Sequence, residues 1–145
     1  MYDAYMQSRQ EQSVHMLRFA RGEKIVETLT TYLQENDIKA AWIQAIGAAD
    51  HIKISVYNVD KKAYDTRELS GEYEILSIKG DASVKDGEIW PHLHIVLGGA
   101  DYQCVGGHLE EAVVSATCEM IIHTLDTPIE RKEDAQTGLK LWDLT

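Results

Sequence analysis

Three histidines are the residues best suited to chemistry in this chain. His92 and His94 lie two apart in Trp90-Pro91-His92-Leu93-His94-Ile95-Val96-Leu97, and His108 follows in Gly106-Gly107-His108-Leu109. Two-residue spacing on a β-strand aims both imidazoles at one face, while Leu93, Ile95 and Leu97 take the other. A hairpin turning symmetrically about Ala100, through a three- or five-residue loop, would set His92 opposite His108 and His94 opposite Gly106. The glycine would then leave room for an ion or ligand. A two-residue turn would shift the register by one and send His108 to the other face. In the first geometry three neutral imidazoles converge as in open zinc and related divalent transition-metal sites, with one coordination position left for water or substrate. In the second they are half-exposed strand residues.

Other reactive side chains have weaker patterns. Cys104 shares the parity of His108, so it reads either as a soft fourth ligand or as a packed or partly exposed thiol. His15, His51 and His123 have no partner at a recognisable spacing and read as surface or interface residues. Glu74 has the parity of Leu76 and Ile78. A carboxylate on a buried face has a raised pKa unless it is paired, which makes Glu74 the carboxylate to weigh as a catalytic base. Glu119 lies on the mixed face of its strand, and for both carboxylates the alternative is a salt-bridged or solvent-facing role. No Gly-x-Ser-x-Gly elbow, Walker loop or dinucleotide fingerprint is present, so the common hydrolase, nucleotide and redox motifs are excluded.

These residues must be positioned by a chain that is mostly strand. Residues 1–12 are a polar N-terminal tail, and residues 13–145 read as a single domain. Ser13 to Ala20 is a first strand. Gly22 opens a helix to about Asn36, with Ile25, Val26, Leu29, Tyr32 and Leu33 on one apolar stripe. Strands follow over Ala40–Ile46, Ile52–Asn58 and Tyr64–Leu69, the last two joined by a turn at Asp60-Lys61-Lys62. Further strands are expected at Tyr73–Lys79, Pro91–Leu97, Gln103–Leu109, Ala112–Leu125 and Leu139–Leu144. Ala112, Val114, Ala116, Cys118, Met120 and Ile122 alternate along one of these and should face the core. Val113 and Ile121 on its other face, with Val96 beside the histidines, leave apolar residues that another subunit would cover. One helix near the N-terminus with seven or eight strands makes an α+β domain on a mostly antiparallel sheet.

Composition narrows the function classes. A chain of 145 residues can bury a core without disulfide staples, and its 2 cysteines are too few for a disulfide scaffold. No apolar run reaches the roughly 18 to 20 residues of a membrane helix, and the polar start lacks a signal-peptide core, so the cytoplasm is the expected location. The chain carries 24 acidic and 14 basic residues, a formal charge of −10, with no basic run longer than Lys61-Lys62. Phosphate backbones are held by clustered Lys and Arg, so direct nucleic-acid binding is not expected.

The order of several motifs carries a family resemblance. Gly22-Glu23 precedes the helix, and Ile46-Gly47-Ala48 and Tyr73-Glu74-Ile75-Leu76-Ser77-Ile78-Lys79-Gly80 follow it. Next come His92-Leu93-His94, Gly106-Gly107-His108-Leu109-Glu110, Thr117-Cys118-Glu119-Met120-Ile121-Ile122, and finally Arg131, Asp134 and Thr137-Gly138-Leu139. Over about residues 13–144 the chain resembles the PPC (plants and prokaryotes conserved) domain family in its bacterial and archaeal single-domain form. The resemblance implies an α+β PPC-like fold, a homotrimer, and a metal site at His92, His94 and His108. Plant members follow an AT-hook and work in DNA-associated assemblies, and single-domain members carry a DNA-binding label by that analogy; this chain has no hook. The expected function is therefore a cytoplasmic homotrimer that binds zinc or another divalent transition metal. Its open position would take a small molecule or support metal-assisted chemistry. The alternative is a non-enzymatic protein-interaction or DNA-associated module with a structural metal or none.

Overall fold

Alternation of apolar and polar residues, relaxed at a few bulges, draws most of the chain into one sheet. The computed structural model describes residues 5–145. Its elements are β1 (Gln7–Glu11), β2 (Val14–Phe19), α1 (Ile25–Glu35), β3 (Ala41–Asn58), β4 (Ala63–Lys85), β5 (Glu88–Gly98), β6 (Cys104–Thr124), β7 (Glu130–Glu133) and β8 (Lys140–Asp143). Among the described residues this is an α+β fold with one helix near the N-terminus. The strand order is β1-β2-β6-β3-β4-β7-β8, and β5 pairs with both β4 and β6. The ladders of β3, β4, β5 and β6 therefore close into a ring, and closure removes free strand edges around the histidines. Among the described residues every pairing is antiparallel except a single parallel bridge, Val84 with Glu130 between β4 and β7.

The helix buries Ile25, Leu29 and Leu33 in one core with Ile43, Ile78, Leu93, Ile95, Leu97, Met120 and Ile122 of the sheet, meeting it mainly at β5 and β6. Val26 and Tyr32 pack at the edge of this cluster, completing the expected stripe. Lys24 at the N-cap makes no side-chain cap. The Glu111 carboxylate of β6 takes that place, accepting from the backbone N–H groups of Val26 at 2.7 Å and Glu27 at 3.0 Å. A carboxylate here satisfies free donors and complements the helix dipole.

Several expectations need correction. The pairs expected as separate strands over 40–58, 64–79 and 103–125 are three continuous strands, because bulges absorb the irregularities that read as breaks. Residues 7–11 of the polar tail form β1 and pair with β2, while residues 1–4 lie outside the described residues. The short polar strand β7 lacks the alternation that would have announced it. His15 is not a surface residue: it is 4% exposed, and its Nδ1 lies 2.8 Å from the Tyr32 hydroxyl. His51 and His123 are exposed. Ala116 is exposed although it shares the core parity, because the β3–β6 register shifts between Gly47 and Ala49.

Candidate metal centre

The β5–β6 hairpin sets the histidines. Gly98 pairs with Cys104, so the loop is centred on Asp101, one residue beyond the expected Ala100. The register moves by two: His108 faces His94, and Gly106 faces Val96. A two-residue shift preserves side-chain parity, so all three imidazoles still share a face. Gly106 opens no space beside His94. A Cβ there would strike the Ile95 carbonyl oxygen, so its lack of a side chain serves close strand approach.

One ligand atom from each of His92, His94 and His108 lies within 4.8 Å of the others. The three residues could hold a metal ion. Ring centroids are 5.2 Å apart for His92–His94, 5.3 Å for His92–His108 and 5.7 Å for His94–His108. Such spacing leaves the rings edge-on or tilted around a common centre.

Groups outside the triad orient two of the rings. Asp81 stands directly across from His92 in the β4–β5 ladder. His92 Nδ1 lies 3.6 Å from Asp81 Oδ2 and 3.3 Å from Arg131 Nη2. Arg131 Nη2 can only donate, so its contact calls for an unprotonated Nδ1, whereas the Asp81 contact calls for a proton there; the two groups together hold the ring from behind. Arg131 donates through Nη2 to both Asp81 oxygens at 3.0 and 2.9 Å, through Nε to Ser83 Oγ at 2.7 Å, and through Nη1 to the Lys140 carbonyl at 2.8 Å. Trp142 Nε1 donates to Asp81 Oδ1 at 3.1 Å. Trp90 stacks on His92 with ring planes 12° apart and centroids 5.4 Å apart. On the other side, His108 Nε2 faces Glu110 Oε1 at 3.9 Å, and Ser55 Oγ donates to the same oxygen at 2.8 Å. His108 Nδ1 is buried and has no hydrogen-bond partner. Burying a polar nitrogen unpaired is costly, and a metal ion would satisfy it.

The electrostatics favour neutral rings at His94 and His108. Burial is the main cause holding His108 down at about 4; Glu110 opposes it, while His92, His94 and Lys85 add to the depression. Burial, then the neighbouring His92, also lowers His94. Imidazoles that stay unprotonated at neutral pH keep the lone pairs that metal coordination needs. Burial pushes the Asp81 carboxyl upward, but its contacts with His92, Arg131 and Trp142 prevail and hold it below the usual carboxylate range.

Three sequence candidates are not brought to this centre. Glu74 is exposed, because a bulge between Ile75 and Ser77 reverses the parity that placed it with Ile78. It pairs with Gly98 at the far end of β5 from His92. Cys104 is likewise exposed at the start of β6 and contributes nothing to the cluster. Glu119 is exposed on the same strand. Conversely, Asp81 and Glu110 were missed as partners of the histidines. Asp81 could have been found by carrying the β4 alternation past Gly80, but nothing in local spacing pairs it with Arg131 on β7.

Beside the triad lies a cavity of about 530 Å³ whose lining includes His92, His108, Glu110, Trp90 and Tyr64. Fold and site together define an α+β domain with a closed strand ring and a potential three-histidine metal centre open to a pocket. The Plants and Prokaryotes Conserved (PCC) domain profile matches residues 6–126, and the chain belongs to this family, the PPC family of the resemblance above. Three solved structures are similar. A metal-containing protein from Archaeoglobus fulgidus is 35% identical, with a TM-score of 0.83 over 98% of this chain and 97% of its own. A plant- and prokaryote-conserved protein from Pyrococcus horikoshii is 30% identical, with a TM-score of 0.83 over 100% of this chain and 99% of its own. A protein from Bacteroides thetaiotaomicron, provisionally described as DNA-binding, is 25% identical, with a TM-score of 0.92 over 95% of this chain and 96% of its own. No curated protein matches the chain. Among the described residues, no helix is long and apolar enough to cross a membrane.

Proposed function

We propose that this protein is a homotrimeric domain whose His92, His94 and His108 bind zinc or another divalent transition metal, with a coordination position open to a small molecule. The observation that carries this reading is the set of three nitrogen donors within 4.8 Å. The carboxylates behind His92 and His108 and the unpartnered His108 Nδ1 add support. A bound metal would supply a Lewis-acid centre at the pocket wall. The protein's own groups orient the donors: Asp81 and Arg131 fix His92, Trp90 covers its face, and Glu110 faces His108. The Archaeoglobus relative's description as metal-containing agrees with this reading. Metal content of protein purified without an affinity tag tests it, with about one ion per chain expected. Under limiting metal, His92→Ala and His108→Ala should each lose most of that occupancy, while His123→Ala should keep it. Equal occupancy in all three variants would refute the ligand set.

The trimeric part of the proposal rests on the family resemblance for its number and on an apolar face for its location. Ile46 is 60% exposed, and it lines one shallow groove with Met16 and Ile121. Ile121→Asp should split the assembly, read by light scattering at micromolar concentration; a wild-type monomer would refute it. The cytoplasm is the location this reading assigns. A second reading, a DNA-associated or protein-interaction module, draws on the Bacteroides relative's description. The formal charge of −10 argues against direct phosphate binding. Titration of labelled duplex DNA separates the two readings: submicromolar affinity with a steep salt slope would favour the second.

A further inference from the structure

The pocket beside the triad has a charge that the rest of the chain does not. In a protein of formal charge −10, Lys62, Lys85, Arg131 and Lys140 all line this one cavity, and among the described residues Glu110 is its only acidic lining residue. Most of these charges are already engaged. Arg131 is held by Asp81, and Lys140 is bonded to Asp86. Lys62 donates to the Ala135 carbonyl at 2.8 Å, and Glu110 is tied to Ser55 and turned toward His108. Lys85 differs. Its ammonium sits 4.2 Å from the centroid of the Trp90 ring, with no carboxylate partner among the described residues. Trp90 in turn stacks on His92, so the unpaired cation and the proposed metal ligand flank one indole. The ammonium held over the indole face keeps the N–H donors that point away from the ring for an anion.

We propose that this pocket recognises a small oxyanion, a carboxylate or phosphate group, through Lys85, with the rest of the ligand directed toward the three-histidine centre. The proposal deepens the metal-site reading and rests on it for the ligand's second anchor, whereas the Lys85 contact stands without the metal. Charge-assisted hydrogen bonds to a partly desolvated ammonium are stronger than neutral ones, and a cavity of about 530 Å³ suits a small metabolite.

Calorimetric titration with inorganic phosphate and, separately, with succinate tests the proposal. Each titration is run on protein with and without added zinc. At least one probe should bind the wild type at millimolar concentration or below. Lys85→Met, which removes the charge but keeps an unbranched side chain, should weaken that binding about tenfold, and Lys85→Arg should retain most of it. The preferred probe distinguishes a phosphate from a carboxylate ligand. Absence of binding by both probes, or equal binding by the Lys85→Met variant, would overturn the proposal. Lys85-dependent binding in protein that takes up no zinc would sustain it and sink the metal reading alone.

Discussion

Replacing Arg131 with Met removes the cation that neutralises a carboxylate buried at the back of the site. Asp81 and Arg131 have side chains only 5% and 6% exposed, so neither charge can turn to water for compensation. Breaking a buried pair from one side typically costs about 3–5 kcal/mol. Trp142 and His92 remain beside Asp81, which places the expected loss near the lower end, about 3 kcal/mol. For a chain of this size that is roughly a 10 °C fall in melting temperature. The pH dependence has a definite sign. In the wild type Asp81 is held below its usual range, so its stabilisation is present above the unfolded carboxylate pKa and fades as pH falls through the folded value. In the variant burial dominates and the folded value rises above the unfolded one. Protonation then relieves the buried charge, and the deficit should narrow between pH 8 and pH 5. Denaturant unfolding at fixed protein concentration at both pH values measures this, with the Asp81→Asn/Arg131→Met pair expected to recover at least half of the loss. A deficit below about 1 kcal/mol, or one unchanged at pH 5, would refute the assignment of a buried ion pair.

Three further outcomes follow from particular contacts. Gly80→Ala places a Cβ against the His92 carbonyl oxygen, so β4 must move away from β5; both metal occupancy and melting temperature should drop, and retention of both would show that the ladder tolerates the methyl group. Glu111→Ala frees the N–H groups of Val26 and Glu27 at the helix start and should lower unfolding stability by about 1–2 kcal/mol, measured by denaturant titration. Burial pushes the Cys118 thiol up to about 12, while Cys104 is exposed; mass spectrometry after brief alkylation of the folded protein should therefore find label on Cys104 alone, and modified Cys118 would contradict its burial.

The site was legible in the sequence to the extent that it depended on parity. His-x-His with a later Gly-Gly-His survived a hairpin register two residues away from the expected one, because an even shift leaves each side chain on its face. Glu74 did not survive, since one bulge between Ile75 and Ser77 is an odd shift and turned it to solvent. Ala116 was misplaced for a different reason: β6 gains two residues against β3 between Cys118 and Val114, which turns Ala116 out locally while the core parity resumes on either side. The helix stripe from Ile25 to Leu33 read correctly because a strong apolar period is local information. Polar β1 and β7 carry no such period, and their strand character comes from pairing with neighbours. Arg131 was hidden more deeply: its contacts with Asp81 and His92 span 50 and 39 residues, distances over which composition and spacing are silent.

The pairing of β2 with β6 also sets an order of events when the chain folds. Val14 meets His123 and Phe19 meets Cys118, so none of these bonds can form until a loop spanning most of the protein has closed. Closure over such distances makes β-rich chains slow, on the order of milliseconds to seconds. The β5–β6 hairpin needs only the short turn after Gly98, and it alone carries His92, His94 and His108. The imidazoles can therefore meet on the microsecond timescale of hairpin formation, roughly 1–10 μs, well ahead of the sheet that encloses them. A metal present during refolding would encounter the three proposed ligands before Asp81 and Arg131 are in place to orient them. Early capture would pin the hairpin register and bias the slower closure of β2 onto β6 toward the native alignment.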